Sequence, residues 1–177
     1  MLYVVEMQFI RPDRQAAWDA WYLEHVEVLL GVPGFRTAQR FHCLTPWSAP
    51  YLAIYSVDGP GVFDSVPYRE RGGRASTGEW QPTMVNWDRN LYAGLERAPA
   101  VAADEVLLLT EAEPAALADT GVEFGWLSAI GLDRTVARRA LAAAAAARGR
   151  DIAARSGGRI RAYRPLMPQR WATWPGA

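Results

Sequence analysis

The sequence predicts an α+β fold in βαββαβ order over roughly the first hundred residues, followed by a shorter, degenerate β/α half. Three observations lead there. Residues 2–10 alternate in hydropathy with period two, residues 14–30 carry an apolar stripe of helical period, and a glycine followed by an Arg-bearing strand pattern ending in Pro occurs twice, at 34–46 and 158–168. At 177 residues the chain can bury one sizeable core or two small ones packed together.

The first segment sets Tyr3, Val5, Met7 and Phe9 against Leu2, Val4, Glu6, Gln8 and Ile10, the alternation of a strand. Its apolar side is expected under helices; its mixed side, carrying Glu6 and Gln8, is expected to border a cavity. Arg11-Pro12-Asp13 breaks the strand, and Asp13 is placed to cap a helix that runs to Leu30 and stops at Gly31-Val32-Pro33-Gly34. At about 100° per residue, Trp18, Tyr22, His25, Val26 and Leu29 share one sector, so His25 stands at the margin of an aromatic stripe. A second strand at 35–44 carries Ala38, Arg40 and His42 on one face and Phe41 and Cys43 on the other. A Pro- and Ser-bearing connection at 45–50 leads to a third strand at 51–57, with Tyr51, Ala53 and Tyr55 on one face. A short helix at 61–69, a mobile loop with Gly72, Gly73 and Gly78, and a fourth strand at 84–92 complete this unit.

Residues 98–103 read as a linker, dividing the chain into units at 1–97 and 104–177. Strands are expected at 105–110 and 124–132. Asp133 then caps an Ala- and Arg-rich helix to about Ser156, since Ala is the best helix former. Gly157-Gly158 stops it, and a last strand at 159–166 precedes a Pro- and Trp-rich tail at 168–175. The second unit thus lacks one helix of the first.

Composition excludes several chemistries. All nineteen basic residues are Arg, so no lysine can form a Schiff base and no G-K-[ST] phosphate loop exists. Cys43 is the only cysteine and His25 and His42 the only histidines, in none of the common metal spacings, so neither a disulfide nor a metal site is expected. Net charge is zero but uneven: residues 134–177 hold ten Arg against Asp151, while 1–133 hold nine Arg against eighteen acids. Pairing between these regions accounts for the asymmetry better than nucleic acid does, because the basic stretch lacks interleaved aromatics apart from Tyr163. No apolar run reaches the length of a bilayer span and the N-terminus lacks the features of a signal peptide, so a cytoplasmic protein without membrane contact is expected.

The runs Trp21-Tyr22-Leu23-Glu24-His25, then Leu29-Leu30-Gly31-Val32-Pro33-Gly34-Phe35, then Ala38-Gln39-Arg40-Phe41, together with Tyr51-Leu52-Ala53-Ile54-Tyr55, resemble the EthD-like branch of the dimeric α/β-barrel superfamily. The resemblance covers residues 1–95. It implies a ferredoxin-like unit whose sheet faces a second sheet around a closed barrel, usually across a homodimer, although here the second half could supply that sheet. The superfamily includes monooxygenases, dehydratases, cyclases, decarboxylases and haem enzymes, so function has to come from the pocket.

Candidate catalytic residues are His25 as acid or base, Arg40 and His42 as groups that polarise a substrate oxygen, and Glu6 as a base or as a partner that neutralises Arg40. Trp18, Trp21, Tyr22, Tyr55 and Trp87 are candidate substrate-binding walls, suited to stacking on a flat ligand. The expectation is a cofactor-independent enzyme that acts on an aromatic or polyketide-like small molecule by proton transfer, as a lyase, cyclase or oxygenase. The rival readings are a barrel that binds such a ligand without turnover, and a haem enzyme with His25 or His42 as axial ligand.

Overall fold

The computed structural model describes residues 1–174, the side chains of Arg74 and Ala75 excepted; Pro175 of the expected tail lies outside them. In chain order the elements are β1 (Leu2–Phe9), α1 (Gln15–Leu30), β2 (Phe35–Cys43), β3 (Tyr51–Val57), α2 (Val66–Arg71), β4 (Met84–Ala93), β5 (Glu105–Thr110), β6 (Gly125–Leu132), β7 (Arg138–Ala145), α3 (Ala146–Arg155), β8 (Ile160–Pro165) and β9 (Arg170–Trp171). Short 3-10 turns at Pro12–Arg14, Pro60–Asp64, Arg74–Thr83 and Pro114–Thr120 lie between them. No helix among the described residues is long and apolar enough to cross a membrane.

The fold is α+β, with an eight-stranded antiparallel barrel closed within one chain. Around it the strands run β3-β1-β4-β6-β7-β5-β8-β2, and β2 pairs back onto β3; β9 lies beside β2. The first half contributes the order β4-β1-β3-β2 and the second the order β8-β5-β7-β6, so each half reads fourth, first, third, second. The seams are β4 with β6 and β2 with β8. Barrel closure was the reason to expect a homodimer, and the second half removes that requirement.

Period-two alternation sorts the side chains. Leu2 and Val4, Phe41 and Cys43, Leu52 and Ile54, Tyr92, Leu107 and Leu109, Leu127, Leu141 and Tyr163 point inward and fill the barrel, each aliphatic side chain contributing about 1.5–3 kcal/mol of burial. Tyr3, Val5, Met7 and Phe9 face outward and pack under α1 with Trp18, Tyr22 and Val26. In the second half Val106, Leu108, Ala140, Ala142 and Ala144 pack under Ile152 and Ala153 of α3.

Three boundaries depart from the sequence expectation. The single short helix expected at 61–69 is the 3-10 turn Pro60–Asp64 followed by α2, because Ser65, in extended backbone, separates the two and accepts the Tyr68 N–H as the cap of α2. The 3-10 turn at Pro12–Arg14 precedes α1, and Asp13 makes no cap: it pairs with Arg11 through two hydrogen bonds of 2.9 and 2.7 Å. More substantially, the helix expected from Asp133 to Ser156 is a strand over its first part. Residues 138–145 form β7, hydrogen-bonded to β6 on one side and β5 on the other. Helix propensity differs among residues by only about 0.7 kcal/mol, and the two flanking ladders together with alternating burial outweigh it. Asp133 instead accepts the Arg89 backbone N–H at 2.9 Å.

Candidate functional site

The sheet separates the expected polar residues. Glu6 shares the inward face of β1 with Leu2 and Val4, whereas Arg40 and His42 share the outward face of β2 with Ala38. Glu6 therefore does not neutralise Arg40. It accepts a 2.7 Å hydrogen bond from Arg139, which is 1% exposed and whose second nitrogen lies 3.4 Å from Glu111. Glu111 in turn accepts two bonds from Arg161, at 3.0 and 2.6 Å, and Arg161 Nε donates to the Tyr163 hydroxyl at 3.1 Å. This chain of charges ties β1 to β7, β5 and β8 inside the barrel, and it satisfies a carboxylate that burial alone would disfavour.

The cavity lies on the other side of the sheet, under α1, rather than beside the mixed face of β1. Its floor is the outward face of β1, β3 and β4, including Tyr3, Met7, Tyr55 and Trp87; its walls come from Trp21, Tyr22 and His25 of α1, and Gly73 and Thr77 help to roof it. The segment expected to be a mobile loop is thus folded as 3-10 turns over the site. The free volume is about 20 Å³, room for about one water, so a ring-sized guest must displace part of the roof.

Four of the five aromatic candidates line this cavity with His25. The fifth, Trp18, lies behind it, stacked on Phe9 at 4.5 Å and edge-on to Tyr22 at 5.4 Å. Helical spacing accounts for the grouping, because residues four apart on α1 stand one above the other, as Trp21 and His25 do. His25 stacks on Trp21 with centroids 5.2 Å apart and planes 15° apart, and meets Tyr22 edge-on at 6.1 Å. Burial lowers its pKa from 6.5 to about 4, so at neutral pH the imidazole is uncharged and one ring nitrogen can accept a proton.

The phenols behave oppositely. Burial pushes Tyr22 up to about 12 and raises Tyr3 and Tyr55 well above 10, so all three remain protonated donors at neutral pH. Arg40, 3% exposed, sits beneath α1 with its guanidinium 3.9 Å from the Tyr22 ring and 5.0 Å from Trp18, hydrogen-bonded to Asp19 at 3.1 Å. It does not line the cavity itself but lies behind Tyr22, and its charge also acts on Tyr55. His42 is farther along β2, half-buried and edge-on to Tyr51 at 4.8 Å, with its pKa lowered by burial and by the charge of Arg164. It does not line the cavity.

Sequence reasoning placed Tyr3 and Met7 in the core and did not mark them as floor. Alternation tells which face a side chain takes but not where the covering helix leaves a gap. Among the described residues no group of three or more His, Cys, Asp or Glu side chains is arranged to hold a metal ion.

No family model and no curated protein matches the sequence. Among solved structures, one described as an anthrone oxidase-like protein superposes with a TM-score of 0.54 at 9% identity, covering 97% of this chain and 93% of its own. A second, a protein of Fusobacterium nucleatum subsp. nucleatum ATCC 25586 with a provisional monooxygenase assignment, gives 0.48 at 10% identity, covering 94% and 93%. The first likeness concerns the fold alone.

Proposed function

We propose that the chain is two ferredoxin-like halves, residues 1–97 and 104–177, fused into the barrel that dimeric α/β-barrel proteins of the EthD-like kind build from two copies, and that its pocket under α1 oxidises a flat aromatic small molecule without a cofactor. The identical strand order of the two halves supports the first part. One observation carries the second: an uncharged His25, stacked on Trp21, shares the cavity with protonated Tyr3, Tyr22 and Tyr55.

Such a set can take a proton from an acidic C–H of the ligand while phenol hydroxyls hold the oxygen on which negative charge accumulates. The resulting carbanion is itself the reductant for dioxygen. An activated CH2 becomes C=O, one oxygen atom enters the ligand and the other leaves as water, and the four electrons that dioxygen gains come from that carbon. The neighbour described as anthrone oxidase-like favours oxygenation over the cyclase, dehydratase or decarboxylase readings. His25 is assigned as the base; Arg40 supports Tyr22, and Glu6 has a structural part.

The test is oxygen uptake and anthraquinone formation from anthrone by metal-free protein. We expect His25→Ala to lower the rate by about 10²-fold or more while ligand binding persists. If anthrone and its hydroxylated analogues bind but none turns over, the protein is a ligand-binding barrel and the enzyme reading fails.

A further inference from the structure

Behind Gly73, next to the cavity but outside its lining, stand polar groups for which the oxidation above has no use. Arg89 lies two residues beyond Trp87 on the outward face of β4. Its side chain is 21% exposed, its contact with Asp133 is a long 3.6 Å, and its Nε is buried with no hydrogen-bond partner among the described residues. Tyr68, on α2, is 6% exposed, and its hydroxyl is likewise buried and unpartnered among those residues. Phe35, stacked on Tyr68 at 5.9 Å, and Phe63, edge-on at 5.0 Å, hold its ring in place. A buried donor left unpaired is costly, so the two call for an acceptor that none of the described residues provides.

Both side chains border the space beside Gly73, Arg89 through Nη1, the neighbour of its unpartnered Nε. A methyl group added to Gly73, which lines the cavity, would lie 3.9 Å from Arg89 Nη1 and 4.0 Å from the Tyr68 hydroxyl oxygen. The glycine, at φ 73°, holds a left-handed turn and leaves that space open. Tyr3 borders the same space: burial first, and then the Tyr68 phenol beside it, hold its pKa well above 10 against the opposing charge of Arg89, and its hydroxyl makes no aligned hydrogen bond to that of Tyr68.

Resting on the aromatic-pocket reading, we propose that Arg89 and Tyr68, facing each other across the gap at Gly73, form an anion subsite that takes a carboxylate or an ionised phenol carried by the aromatic ligand. The guanidinium supplies fixed charge and directed donors, and the phenol adds one further hydrogen bond. The preferred ligand is therefore an aromatic acid, held at its charged end here and presented to His25 at the other.

Quenching of tryptophan fluorescence in the full chain by 2-naphthoate, 2-naphthamide and 2-naphthol tests this. Wild type should bind 2-naphthoate about tenfold or more tightly than the uncharged amide. Arg89→Gln should abolish the preference and leave 2-naphthamide unchanged, and Tyr68→Phe should narrow it. Gly73→Ala, which keeps both polar groups but fills the gap, should weaken 2-naphthoate selectively. Naphtholate emission from bound 2-naphthol at neutral pH, lost in Arg89→Gln, would extend the subsite to phenolates; its absence confines the subsite to carboxylates. Equal affinity of wild type for 2-naphthoate and 2-naphthamide overturns the subsite and leaves the aromatic pocket standing, as does equal weakening of both by Arg89→Gln. Binding of none of the three overturns the pocket and the subsite together.

Discussion

His25 is uncharged at neutral pH because Trp21, Tyr22 and the sheet beneath them withhold water from it, and that has a consequence for stability. Its folded pKa of about 4 lies below the ordinary 6.5. As pH falls the unfolded chain takes up the proton first, so stability is lost progressively from about 6.5 to about 4 and no further below. Urea midpoints of wild type and His25→Asn should thus diverge toward acid, wild type becoming relatively weaker; parallel curves would show that the ring is solvated. Arg139 gives a second case. Arg139→Met leaves Glu6 buried without its main partner and should destabilise by about 3–5 kcal/mol, whereas the double change Glu6→Leu with Arg139→Met should recover most of the loss in denaturant titration. The two sites were unequally legible. His25 and its aromatic neighbours follow from helical spacing within one segment, while the Glu6–Arg139 pair joins residues 133 apart in the chain, and nothing local in either strand names the other.

Among the elements, the first strand and first helix follow from their periodicities because each buries one face against a different layer. The stretch at 138–145 does not, because an alanine run carries almost no pattern: Ala fits either period, and only the neighbours β5 and β6 make it a strand. The same scarcity of side-chain bulk sets how α3 packs. A Cβ on Gly149 would approach Val106 Cγ2 to 2.2 Å. Gly→Ala in an exposed helix interior stabilises by about 1 kcal/mol, but here we expect Gly149→Ala to destabilise by about 1–3 kcal/mol. Thermal melting should show a lowered midpoint, reversed when Val106→Ala makes room; a rise in the single variant would mean that α3 lies farther from the sheet.

At the scale of the whole molecule the halves share a strand order but not the place of their hollows: the first half's lies under α1, the second half's beside the end of α3, at Thr120, Ile152 and Arg159. In the first half Trp18, Tyr22 and Trp21 hold α1 away from the floor; in the second, Ala140, Ala142 and Ala144 let α3 settle directly onto the sheet. We therefore expect calorimetry with 2-naphthoate to give one ligand per chain, and a stoichiometry of two would refute the asymmetry. The order of elements was largely readable in advance, because each turn and breaker is local. Closure within the chain was not, because it depends on two seams between distant strands. The fusion of two halves proposed above also changes how the barrel can evolve. In a barrel of two identical subunits every mutation is made twice, so a change that helps one cavity is imposed on the other. A tandem gene removes that bond: one copy can keep the chemistry while its twin drifts toward small, tightly fitting residues and serves as a scaffold.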